Sequence, residues 1–157
     1  MRSRGFTLIE LVVTVGIVSL LATAVIPSAQ LVYQRQRERE LRDALRTLRT
    51  AIDAYKVASD TGHIPRVIDK TGYPPDLQTL VDGVVDARSP KEGVKLYFLR
   101  RVPRDPFWSD ATTPAAETWG LRAYASPAED PQAGDDVFDV YSRSTRAGLN
   151  GVPYHDW

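Results

Sequence analysis

The sequence predicts an α+β chain: one long N-terminal helix, apolar in its first half and amphipathic in its second, packed on a small antiparallel β-sheet. Three observations carry this. An almost uninterrupted apolar run fills residues 6–26. Apolar side chains then recur at helical spacing from Leu41 to Tyr55. Beyond Gly93 the pattern changes to short alternating stretches separated by Pro and Gly, the signature of strands in an antiparallel sheet.

The first element is the apolar run. Only Thr7, Glu10, Thr14, Ser19 and Thr23 interrupt it. As a helix it is roughly 30 Å long, enough to cross a hydrocarbon core. Hydroxyls are tolerated there because they bond to carbonyls of their own helix. Glu10 is the anomaly. An acid within a membrane costs on the order of 3 kcal/mol and is by default a functional candidate. A secretory signal peptide is the competing reading: Arg2 and Arg4 supply a basic leader, and Ala22-Thr23-Ala24 imitates a cleavage site. An acid near the start of the core and a run of this length both count against it.

From Ser28 to about Ser59 nothing breaks a helix, and Gly62 is a stop signal. Leu41, Leu45, Leu48, Ile52 and Tyr55 form one apolar stripe whose role is core; it spans barely two heptads, too short for a coiled coil. Arg35, Arg39, Arg42, Arg46 and Arg49 form a second stripe about 100° round the helix. Residues 34–56 hold seven basic and four acidic side chains, whereas 57–157 hold eleven basic and fifteen acidic. Any single Arg reads as part of a solvated face. The asymmetry also allows the basic face of one copy to meet the acidic surface of another.

Three elements follow. Asp76 caps a short helix over 77–81, with Gly83 beyond it. A strand is expected around Val94, Leu96 and Phe98, a second within 119–125 and a third within 137–141. Trp157 is placed to seal the C-terminal tail against this sheet.

Whole-chain properties exclude several classes. The 157 residues carry no formal net charge and no cysteine. Nucleic-acid binding, which needs a basic face, is disfavoured; disulfides and thiolate metal sites are ruled out. His63 and His155 have neither a cysteine partner nor metal-ligand spacing. There is no phosphate loop and no nucleophile elbow, so the chain reads as a non-enzyme. The basic residues flanking the apolar run do not fix its orientation.

Gly5-Phe6-Thr7-Leu8-Ile9-Glu10, with Pro27 at the far end of the run, resembles the prepilin peptidase site of the type IV pilin and pseudopilin superfamily. Ala54-Tyr55-Lys56, Gly72-Tyr73-Pro74 and Val102-Pro103-Arg104-Asp105-Pro106-Phe107 resemble the major pseudopilin of type II secretion. The resemblance implies a type IV pilin-like fold divided into a leader peptide (1–5), a transmembrane and assembly helix (6–27), its amphipathic continuation (28–60) and a periplasmic globular domain (61–157). It implies cleavage between Gly5 and Phe6, N-methylation of Phe6, and an assembly role for Glu10, whose carboxylate would pair with the Phe6 amine of the next copy. At 4 Å and an effective dielectric near 20 such a pair is worth about 4 kcal/mol before desolvation. Partners implied are further copies of the chain in a helical homopolymer, the peptidase, minor pseudopilins, an inner-membrane assembly platform and membrane lipid. Type IV pilin or minor pilin is the alternative, and a non-polymerising, single-pass anchored binding domain a more distant one.

Major pseudopilins also carry a calcium site in the C-terminal loop, which makes calcium the one candidate cofactor. Hard oxygen donors are available in Asp136, Asp139, Ser142, Asn150 and Asp156, with Asp135 alongside. The tail departs from the family's acidic spacing: Asn150-Gly151 stands where Asp-Gly is expected, one charge fewer. The competing reading makes Asp135-Asp136 and Asn150-Gly151 solvated turns.

Overall fold

The computed structural model describes residues 6–65, 67 and 69–157, without the side chains of 23–28. Helix α1 runs Leu8–Asp60, 53 residues. Its assignment continues through Pro27, a residue with no amide hydrogen to donate. Gly62 ends it in the left-handed region at φ 77°. The amides of His63 and Ile64 both donate to the Ala58 carbonyl, at 2.9 and 3.2 Å, satisfying a carbonyl that the helix end would leave open.

The chain forms two packing units. One comprises the described residues up to Gln36, the other Arg37–Trp157. The sequence division at 27/28 marks where the apolar run stops; the packing division falls later, because the first α1 side chain buried in a core is Glu38, followed by Leu41.

Among the described side chains of the N-terminal unit, α1 buries almost nothing. Phe6, Leu8, Ile9, Leu20 and Leu21 are among its exposed apolar side chains. The Thr14 hydroxyl donates to the Leu11 carbonyl at 2.9 Å and the Ser19 hydroxyl to Val15 at 2.8 Å, the local satisfaction expected of hydroxyls on an apolar helix. Among the described residues no helix is long and apolar enough to cross a membrane. The run of 6–26 extends into 23–28, whose side chains lie outside the described set.

In the second unit the predicted stripe is the core. Leu41, Leu45, Leu48, Ile52 and Tyr55 are all buried, joined by Leu77, Leu80, Trp119, Val137, Val140 and Tyr154. Each fully buried aliphatic side chain contributes about 1.5–3 kcal/mol. Helix α2 is Thr79–Asp82. The helix's own N-cap is Gln78, without a side-chain bond; Asp76 closes the turn before it, its Oδ1 accepting from the Thr79 amide at 2.7 Å. The helix starts two residues later than expected.

The sheet differs from the single one expected. Strands β1 (Val84–Val85) and β2 (Lys95–Leu96) form one antiparallel pair; β3 (Trp119–Arg122) and β4 (Asp139–Ser142) form another. Register in the second pair sets Trp119 opposite Ser142 and Gly120 opposite Tyr141. The strand near Val94 never reaches β3, because the Phe98 and Leu99 amides are taken by the Leu80 carbonyl, at 3.0 and 2.9 Å. Pro74 is fully buried and its carbonyl accepts from the Val137 amide at 2.8 Å, so the Tyr-Pro element leads into β4.

Candidate functional site

Two places hold the candidate residues: the start of α1, and the region where α1 meets the C-terminal segment. At the first, Glu10 turns back on its own helix. The Glu10 amide donates to Thr7 Oγ1 at 3.3 Å, and Glu10 Oε2 lies 3.5 Å from both the Thr7 amide and hydroxyl. This is a capping box, Thr-x-x-Glu, closing orphan donors at a helix start. At 3.5 Å the two bonds to the carboxylate are weak. The Thr7-Leu8-Ile9-Glu10 spacing signals it, but sequence reasoning assigned Glu10 to assembly alone. Phe6 is 79% exposed. Gly5 and the leader 1–5 lie outside the described residues.

At the second place, buried and half-buried charges on α1 hold residues 147–157. Glu38 is 4% exposed; its Oε1 accepts from the Leu149 amide at 2.8 Å and the Tyr154 hydroxyl at 3.0 Å. The Arg42 guanidinium lies 4.3 Å over the Trp157 ring. Trp157 therefore seats on the helix rather than on the sheet. Arg49 Nε donates to Asp139 Oδ1 at 2.7 Å, and Arg49 Nη2 to the backbone oxygens of Val140 and Trp157 at 3.2 and 2.9 Å. Arg42 and Arg49 thus stay part-exposed on the predicted solvated stripe while also contacting the C-terminal segment. Glu38 continues the 3-4 spacing of the Leu41 stripe backwards, a buried acid the register would have revealed.

The calcium donors do not converge. The Asp136 carboxylate accepts from the Tyr124 amide at 2.8 Å and from the Thr71 hydroxyl. Asp139 is held by Arg49. Ser142 is fully buried and donates to Asp105 Oδ2 at 2.6 Å. Asn150 Oδ1 accepts from the Val152 amide at 3.1 Å; Asp156 pairs with His155 at 3.0 Å; exposed Asp135 pairs with Lys70. Asn150 and Asp156 share an open groove of about 590 Å³ with Asp53, Arg42, Arg46 and Arg49, a lining in which three guanidinium groups outnumber two carboxylates. Among the described residues no cluster of three or more His, Asp or Glu side chains is arranged to hold a metal. The oxygens of these five residues are divided among hydrogen bonds and ion pairs in separate parts of the domain.

A family profile described as the prokaryotic N-terminal methylation motif matches residues 1–26. Over 113 residues the chain is 31% identical to type II secretion system core protein G of Klebsiella pneumoniae, covering 69% of this chain and 72% of that protein. The chain belongs to the core protein G family. Further members of that family match over 112 residues each: 28% identity to the protein of Pectobacterium carotovorum subsp. carotovorum, covering 69% of this chain and 65% of that one, and 29% to that of Escherichia coli (strain K12), covering 69% and 70%. No solved structure matches.

Proposed function

We propose that this chain is the major structural subunit of a type II secretion pseudopilus, a filament subunit rather than an enzyme. The observation that carries the reading is the Gly5-Phe6 to Glu10 motif, at the head of a chain whose further sequence matches core protein G. Prepilin peptidase cuts after Gly5, and the freed Phe6 amine is methylated. Residues 6–27 hold the subunit in the inner membrane, with the domain of 61–157 in the periplasm, until it joins a homopolymer built with minor pseudopilins on an assembly platform. The exposed apolar side chains of residues 6–22 support this, because a contiguous apolar surface of this kind marks contact with lipid or protein.

In the filament the Glu10 carboxylate exchanges its weak bonds to Thr7 for the Phe6 amine of a neighbouring copy. Mass spectrometry of the mature N-terminus tests the processing: methyl-Phe6 is expected, and a cut beyond Ala24 would sink the reading. Electron microscopy of Glu10→Leu tests the assembly. Filaments indistinguishable from wild type would remove Glu10 from that role.

A further inference from the structure

The oxygens around Arg49 are of the kind a calcium ion takes. A carboxylate oxygen of Asp139 and the backbone oxygens of Val140 and Trp157 all accept from one guanidinium, at 2.7 to 3.2 Å. They come from β4 and from the C-terminal segment, two stretches that already share the core through Val140 and Tyr154 and that this one α1 side chain also bridges by hydrogen bonds. We infer that Arg49 is the built-in cation of this domain: it closes the C-terminal segment where the family resemblance implies a metal, so folding here is independent of calcium.

Three physical points support this. Calcium needs six to eight oxygens at 2.3–2.6 Å, and the remaining candidate donors are committed elsewhere. The guanidinium is always charged and presents its donors in a fixed planar fork, matched to several oxygens at once. A second cation would enter a groove where Arg42, Arg46 and Arg49 outnumber the carboxylates of Asp53 and Asp156, and where the net charge repels it.

Arg49 does not act alone. Glu38, Arg42 and Arg49 stand at i, i+4 and i+11, within about 40° of one another on the helix. Glu38 takes the Leu149 amide and Tyr154 hydroxyl, Arg42 takes the Trp157 ring and Arg49 takes the Trp157 oxygen. One helix face thereby fastens residues 147–157 at both ends. The Arg49–Asp139 pair is part-exposed, its side chains 40% and 30% accessible, and by itself would contribute little. Its effect comes from joining the two stretches, which a point charge or a neutral amide does less well.

The test uses the full-length chain in detergent. Thermal unfolding is followed by tryptophan fluorescence in millimolar CaCl2 and in EGTA. Trypsin cleavage after exposed Arg146, which frees 147–157, is timed in parallel. For wild type the two unfolding curves are expected to coincide, with slow cleavage. Arg49→Gln is expected to lower the midpoint by about 5 °C and to speed release of 147–157 roughly tenfold, a loss of about 1.4 kcal/mol in local closure. Arg49→Lys, which keeps the charge without the fork, should fall between them and covers the case in which Arg49→Gln does not fold. Asp139→Asn combined with Arg49→Lys should cost less than the sum of the two alone. A calcium-dependent rise in the wild-type midpoint, Arg49→Lys releasing 147–157 at the wild-type rate, or strict additivity would each overturn the inference.

Discussion

Asp105 and Ser142, 37 residues apart, share a buried hydrogen bond of 2.6 Å. The Asp105 side chain also caps its own turn, accepting from the Phe107 amide at 2.8 Å, while its amide donates to Thr118 Oγ1 at 3.1 Å. The Pro-x-Asp-Pro turn is thus tied to β4 and to the 3-10 turn before β3 through one residue that is 1% exposed. Asp105→Ala strands the Ser142 hydroxyl and the Phe107 amide in the interior. A loss of about 2–3 kcal/mol is expected, read by chemical denaturation. Ser142→Ala should cost less, since it leaves the other bonds of the carboxylate in place.

Gly120 faces Tyr141 across the β3–β4 pair, and a Cβ built at Gly120 runs into the Tyr141 ring. Gly120→Ala is expected to destabilise by about 1–3 kcal/mol through overpacking. Adding Tyr141→Ser should recover part of that loss. Equal stability of Gly120→Ala and wild type would show that the ring moves aside freely.

Removing the Leu48 side chain opens the centre of the helix stripe. Leu48 is fully buried, and Leu48→Ala is expected to cost about 2–5 kcal/mol. Arg35→Ala, on the exposed part of the same helix, should change stability by less than about 0.5 kcal/mol. Paired denaturation curves check the contrast.

Among the described residues Asp110 is the more strongly depressed of two acid-sensitive carboxylates, the other being Asp86, which its hydrogen bond to His63 holds low. Bonds from the Thr112 hydroxyl, the Thr113 hydroxyl and the Thr112 amide hold Asp110 down to about 2, against an ordinary 3.8. A depressed carboxyl contributes stability that is complete above the unfolded value and is lost as pH falls from about 4 toward 2. The 110–113 loop should therefore loosen in that window, and the loop of Asp110→Asn should show no transition there. A carbon chemical-shift titration of the Asp110 carboxyl checks the value; a midpoint near 3.8 would contradict it.

Helix α1 and its buried stripe were legible in the sequence because a period of 3.6 repeats enough times between Leu41 and Tyr55 to be unmistakable. Asp76 and Gly62 were legible because cap chemistry is local. The two sheets were not. Val84–Val85 and Lys95–Leu96 are two residues each, too short to display alternation, and the stop at Phe98 depends on a carbonyl 18 residues upstream. The calcium donors were identified by type, which composition shows; their partners, Arg49, Asp105, Tyr124 and Thr71, are set by tertiary packing, which it does not. Glu38 lay within reach, as an acid in the register of an apolar stripe.

In the proposed assembly, the weak capping box at the head of α1 would make subunit addition a ligand-exchange reaction. The carboxylate of Glu10 is not idle before a neighbour arrives; it already has two loose donors from Thr7. The free energy available to addition is then the difference between two partners rather than the full strength of a new ion pair. Because the outgoing bonds are long, little would be lost in releasing them, and that difference would stay favourable.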